Sequence, residues 1–146
     1  MKFHDFQQAH SESVVALRAL SQSVAAKGMD KVLLELVKIR ASQVNGCAYC
    51  AQFHINLARK QGCSQSKLDQ LAVWRDSPLF NARERLALEW TEALTEAAAH
   101  GATGEMRDRV ASQFTHTEIE TLTIAIATIN AWNRIAGPLH FIPPEG

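Results

Sequence analysis

The sequence predicts an all-helical protein, and three observations predict it. Helix breakers are scarce, with Gly 7 and Pro 4 among 146 residues, below the roughly 12% that the two contribute on average. Apolar residues make up 47% of the chain and recur at three- and four-residue spacing, with many Ala and Leu among them. Capping residues, notably Asp30, Asn81 and Thr115, stand directly before the periodic stretches.

The elements follow in order. A first helix is predicted from about Ser11 to Ala26, with Val14, Leu17, Leu20 and Val24 as its stripe and Gly28 as its stop. Asp30 reads as the N-cap of a second helix reaching about Val44, whose run Val32-Leu33-Leu34-Glu35-Leu36-Val37 implies burial on most sides. Asn45-Gly46 breaks it. A third helix starts near Cys47 and ends about Gln61, with Gly62 as its C-cap. Ser64 caps a short fourth helix through Ala72, and Ser77-Pro78 marks a loop. Asn81 with Glu84 forms a capping pattern for a fifth helix running to about Ala99, ended by His100-Gly101. Thr103 caps a short helix to Val110. Thr115 with Glu118 caps the last long helix, stopped by Gly137-Pro138. Ile119, Leu122, Ile126 and Ile129 form its main stripe, while Ile124, Ala127 and Ala131 lie elsewhere around it. Such a helix needs partners on several sides, which predicts a subunit interface as well as a bundle core.

Length and composition bound the rest. A chain of 146 residues without repeats or linkers predicts one domain, 1–146. Lys plus Arg and Asp plus Glu are 15 each, so no basic excess points to nucleic acid or an acidic membrane surface. No apolar run approaches the ~20 residues of a membrane span, and the polar N-terminal stretch has no signal-peptide core. The three cysteines, an odd number, suit a reducing compartment, and a cytoplasmic location is expected.

The segment from Asn45 to His54 carries the chemistry. Cys47 and Cys50 are i, i+3, and Cys50 and His54 are i, i+4, so all three project from one helical face. At a helix start the dipole favours a thiolate on Cys47, and a thiolate is the nucleophile. His54, one turn beyond Cys50, is placed to accept a thiol proton directly or through water. The spacing favours a redox dithiol with its own base, and leaves two alternatives open. Cys47, Cys50 and His54 could be three zinc ligands, with Cys63 as the nearest further thiol, although no second close pair exists. They could also be inert packing. A c-type haem is excluded, because Ala51 stands where its histidine would be.

Glu35, in the apolar run, is a candidate proton carrier whose pKa burial would raise toward neutrality. Its alternative is an exposed carboxylate held between Lys31 and Lys38. Cys63 reads as a bystander at a helix end. Trp74, Trp90 and Trp132 read as core, His100 and His116 as helix-boundary residues, and His140 carries no signal.

Glu35 followed by Cys47-x-x-Cys50-x-x-x-His54 resembles the active-site signature of the alkylhydroperoxidase D-like branch (AhpD-like) of the carboxymuconolactone decarboxylase family. The stretch from Leu36 to Cys50 is similar in detail, as are the blocks Glu84–Thr95 and Ile129-Asn130-Ala131-Trp132-Asn133-Arg134-Ile135. The resemblance implies an all-α helical bundle assembled as a trimer or hexamer. It implies a thiol-dependent peroxidase without haem, flavin or metal, fed by a dithiol donor such as a lipoyl protein or a thioredoxin-like protein. It gives Cys50 the attack on the hydroperoxide, Cys47 the resolving role, and Glu35 and His54 the proton relay; Cys47, at the helix start, is also placed to meet an incoming donor. Where the dipole favours Cys47 and the histidine favours Cys50, the larger effect of a positioned base decides for Cys50. Tyr49 replaces the histidine that precedes the second cysteine in the two-motif members. A general disulfide reductase and a non-catalytic redox-sensing oligomer are the other functional readings.

Overall fold

A computed structural model of the chain describes residues 1–99 and 101–146. Among them are eight α-helices and no strand: α1 Phe3–Ala9, α2 Ser11–Ala25, α3 Lys31–Val44, α4 Ala48–Lys60, α5 Gln65–Gln70, α6 Ala82–Thr95, α7 Gly104–Ala111 and α8 His116–Ala136. A single 3-10 turn, Leu71–Val73, follows α5.

Helix α3 is the axis of the bundle. The Asp30 side chain accepts from Val32 N at its start, and Gly46, at φ 68°, turns the chain out of its end. The left-handed backbone at Gly46 is the one a glycine adopts without steric cost, and it delivers the chain directly to Cys47. Leu33 to Val37, Ile39, Ala41 and Ser42 are all buried, because α4, α6 and α8 pack around the helix. Leu34, Val37, Trp90, Leu122 and Ile126 belong to one apolar cluster between α3, α6 and α8. Leu36, Ile39, Ala58, Leu71, Trp74 and Leu88 belong to a second, on the side of α4.

Both capping boxes form: Asn81 with Glu84 at α6 and Thr115 with Glu118 at α8. Three expectations are corrected. The predicted stripe of the first helix is too wide, since Leu20 is 42% exposed while Val14 and Val24 are buried. Six residues from Val14 is roughly 240° around a helix, which carries Leu20 off the packed face. The fifth predicted helix stops at Thr95, four residues early. Its expected terminator His100 lies outside the described residues. The N-terminal stretch, where no helix was expected before Ser11, forms α1, whose Phe3 and Phe6 pack on Phe141 at the other end of the chain.

No helix among the described residues is long and apolar enough to cross a membrane. Trp74 and Trp90 are core residues, as expected. A buried ionic cluster went unread in the sequence: Glu92 accepts from Trp74 Nε1 and Arg40 Nε, each at 2.8 Å, and pairs with Arg75 at 2.6 Å. It ties α3 to α6 and to the loop after α5. His116 is an exposed helix-start residue paired with Glu120, and the His140 carbonyl accepts a hydrogen bond from the Met1 amine.

Candidate active site

The two cysteines sit where α3 hands over to α4. Cys47 N donates to Ser42 O at 2.9 Å, which closes the turn around Gly46. Cys47 is then the N-cap of α4, and its sulfur accepts from Cys50 N at 3.3 Å. A sulfur as N-cap satisfies one of the free amides of the first turn and is itself stabilised as an anion. Both thiols are buried, Cys47 to 2% and Cys50 to 4% exposure, among Ala41, Ile129, Ala136 and Phe141. The expectation that the helix start opens Cys47 to an incoming donor therefore fails, because α1 and the residues after α8 cover it.

The two sulfurs differ in charge preference. The Cys50 thiol hydrogen-bonds the Cys47 sulfur, and that contact, with the Cys50 amide and the Asn133 side chain, lowers the Cys47 pKa from 9.0 to about 7 against the opposing effect of burial. Donating that bond, together with burial, pushes Cys50 far up. The hydrogen bond from the Cys50 thiol, ahead of the helix-start amide, thus favours Cys47 as the resting thiolate. It does not give the sulfur that meets the outside. A cavity of about 230 Å³ opens between α2, α4 and α8, lined by Cys50, His54, Phe3, Tyr49, Phe53 and Trp132 among others. Cys50 borders it and Cys47 does not.

Glu35 reaches this site across the α3–α4 interface. It is 5% exposed, its Oε2 lies 2.6 Å from His54 Nδ1, and Lys38 Nζ donates to its Oε1 at 3.0 Å. Of the two lysines expected beside it, only Lys38 pairs with it. The expectation of a raised Glu35 pKa is also corrected. Burial does raise it and is the largest single influence, but the hydrogen bond and charge of His54 together with Lys38 outweigh it, so the pKa falls. Burial lowers the His54 pKa in spite of Glu35. A neutral imidazole beside an ionised carboxylate carries its proton on Nδ1, which leaves Nε2 as the acceptor. Among the described residues no hydrogen bond joins His54 to either sulfur, so of the two routes expected, direct or through water, the direct one is not made.

Four candidates from the sequence, Glu35, Cys47, Cys50 and His54, come together. Cys63 does not: it is buried beside Ala58, Leu68 and Trp74, and burial raises its pKa, the character of an unreactive thiol. Among the described residues no three His, Cys, Asp or Glu side chains are arranged to hold a metal ion. Trp132, read as core, is half-buried and forms part of the cavity wall. Sequence reasoning missed Asn133, which is 4% exposed beneath the thiols, and Arg18 and Phe3 of the wall. An amide continuing the apolar stripe of Ile119, Leu122, Ile126 and Ile129 was the available signal for Asn133.

The helical bundle is of the AhpD-like class of fold, and it holds a buried dithiol at a helix start, a Glu–His pair one turn on and an apolar cavity beside them. The chain belongs to the carboxymuconolactone decarboxylase family, whose family model matches residues 12–93. It is 30% identical over 125 residues to the uncharacterized protein YdfG of Bacillus subtilis, covering 86% of this chain and 85% of that one. It is 35% identical over 121 residues to the uncharacterized protein YnjA of Escherichia coli, covering 81% of this chain but 64% of that one. A crystal structure of a protein of unknown function from Agrobacterium tumefaciens, provisionally called an antioxidant defence protein AhpD, superposes with a TM-score of 0.92 at 35% identity over 97% of both chains.

Proposed function

We propose that the protein is a thiol peroxidase that reduces organic hydroperoxides through the Cys47–Cys50 pair, with Glu35 and His54 as proton relay and no cofactor. The observation that carries this reading is that Cys50, and not Cys47, borders the apolar cavity that His54 also lines. Aromatic walls from Phe3, Tyr49, Phe53 and Trp132 suit the organic part of a hydroperoxide.

The Cys50 sulfur attacks the terminal oxygen of the hydroperoxide, the O–O bond breaks, and Cys50 becomes a sulfenic acid. The thiol proton leaves through His54 Nε2, carried by the hydroperoxide or a bridging water, and reaches the departing alkoxide, which is released as alcohol. Cys47, already favoured as thiolate, attacks the Cys50 sulfur and expels hydroxide, which takes a proton and leaves as water. A donor dithiol reduces the resulting disulfide and is itself oxidised to a disulfide. One hydroperoxide and one dithiol thus yield one alcohol, one water and one disulfide. With both sulfurs under 5% exposed, a slender lipoyl arm reaches them through the cavity more readily than the globular face of a thioredoxin-like protein.

The test is steady-state turnover of an organic hydroperoxide with excess lipoyl dithiol. Many equivalents consumed per subunit support the peroxidase. One equivalent and no more favours a redox sensor, and dithiol-dependent reduction of disulfides without peroxide turnover favours a general disulfide reductase. A cytoplasmic, homo-oligomeric protein, a trimer or hexamer, completes the proposal. Its support is the apolar surface left on α8 and α4, where Ile124 and Phe53 are 43% and 42% exposed.

A further inference from the structure

Among the described residues, no cation is one of the groups that lower the Cys47 pKa. The groups that lower its pKa are all uncharged donors: the Cys50 thiol, the Cys50 amide and the Asn133 side chain. The first two belong to the motif on α4. The third comes from α8, from a residue that the peroxidase reading does not use.

The orientation of the Asn133 amide is fixed by its neighbours. Ser42 Oγ donates its only proton to Lys38 O at 2.7 Å, so toward Asn133 it can only accept. The atom facing it, at 3.0 Å, is therefore the nitrogen Nδ2. Asn133 Oδ1 in turn accepts from Asn45 Nδ2 at 2.9 Å. The same Asn45 nitrogen donates to Asn130 Oδ1 at 2.9 Å, and Asn130 Nδ2 is tied to Ile126 O at 2.9 Å and to Thr95 Oγ1 at 3.1 Å. An amide nitrogen carries two protons, and Ser42 takes one. The other is left for the dithiol, because Ile129 and Ala136, about a turn before and after Asn133 on α8, pack in one cluster with Cys47 and Cys50, and the amide acts to lower the pKa of both sulfurs. Asn133 is 4% exposed, and a buried amide on the apolar stripe of a helix is costly unless its groups are used.

We propose that Asn133 is the thiolate-holding donor of the dithiol, a fixed N–H supplied by α8 to a motif carried by α4. Because it reaches both sulfurs, it holds the negative charge on Cys47 at rest and on Cys50 when Cys50 is poised to attack. Ser42 and Asn45 are positioning residues, which act by locking the amide plane. The inference rests on the reading above only in taking Cys47 and Cys50 as the working thiols.

The experiment needs no turnover. In the reduced wild-type protein, the Asn133 side-chain amide resonances are followed against pH beside the thiolate absorbance at 240 nm. The expected result is one shared midpoint, and loss of the amide shift in the Cys47→Ser/Cys50→Ser double variant. In Asn133→Ala and the isosteric Asn133→Asp, the thiolate midpoint rises by about one pH unit or more, the scale of a lost hydrogen bond to a charged group. Asn45→Ala, which frees the amide without removing it, gives a smaller rise. An amide that does not move through the thiol titration, or an Asn133→Ala protein that titrates at the wild-type midpoint, overturns the proposal. Should both Asn133 variants fail to fold, the wild-type titration decides alone. Absent peroxide turnover with a shared midpoint would sink the peroxidase reading and leave this one standing.

Discussion

His54 Nδ1 lies 2.6 Å from Glu35 Oε2, a contact between residues nineteen apart in the chain that spans the α3–α4 interface. It fixes the imidazole tautomer and leaves Nε2 basic. Glu35→Gln offers one oxygen where His54 and Lys38 now take two. Peroxide turnover is expected to fall tenfold or more, the low end for loss of acid–base assistance. Because Glu35 is buried, stability should fall too, by about 1–3 kcal/mol, the cost of leaving buried polar partners unsatisfied. Denaturant unfolding and steady-state kinetics on the same protein check both; unaltered turnover would reduce Glu35 to a structural carboxylate.

The thiol pair sets a pH dependence with a definite sign. The Cys47 pKa is lowered from 9.0 to about 7, so thiolate absorbance at 240 nm should rise through neutral pH with an amplitude of one thiol per subunit. The folded pKa lies below the unfolded one. The stability that Cys47 contributes is therefore fully present above pH 9.0 and lost as pH falls toward about 7. Relative to Cys47→Ser, the wild-type protein should gain stability between those limits, measured by denaturant midpoints at fixed pH. A single thiol titration near pH 9 would contradict this.

The two cysteines should separate in single variants. Cys50→Ser is expected to abolish peroxide consumption and sulfenic-acid formation together, since Cys50 borders the cavity. Cys47→Ser should consume about one equivalent and accumulate a sulfenic acid on Cys50 that dimedone traps. Cys63→Ser should leave turnover near wild type, because Cys63 is packed in a different cluster. Mass spectrometry of the trapped Cys47→Ser protein decides; an adduct on Cys47 in Cys50→Ser would reverse the roles.

Glu92 tests stability apart from chemistry. Glu92→Ala leaves the Trp74 indole N–H and the Arg40 guanidinium without the acceptor that both use. A loss of about 3–5 kcal/mol is expected from breaking a buried ion pair at one partner. The thiolate midpoint of the protein that stays folded should not move. A shifted midpoint would tie the ionic cluster to the site.

Light scattering should give a mass that is three or six times the subunit. Ile124→Glu, at a position 43% exposed on α8, should lower that mass if the apolar surface is the interface. A monomer at micromolar concentration in the wild-type protein would show that this surface stays in solvent.

Local chemistry determined much of the outcome by itself. Asp30 and Gly46 bracket α3, the Asn81–Glu84 and Thr115–Glu118 boxes start α6 and α8, Cys47 caps α4, and i, i+4 spacing sets both Cys50 and His54 at the cavity. These are hydrogen bonds and side-chain directions set within a turn or two, so the sequence displays them. Tertiary structure decided what lies beyond that reach. Whether Glu35 faced solvent or His54 depended on α4 folding back on α3. Which sulfur met the cavity depended on how α1 and α8 pack around the dithiol, with Phe3 and Trp132 forming the wall that Cys50 joins and Cys47 does not. The placing of Asn133 by Ser42 is a contact across 91 residues. No local pattern encodes it, because its energy comes from burying α8 against α3 and not from either helix alone.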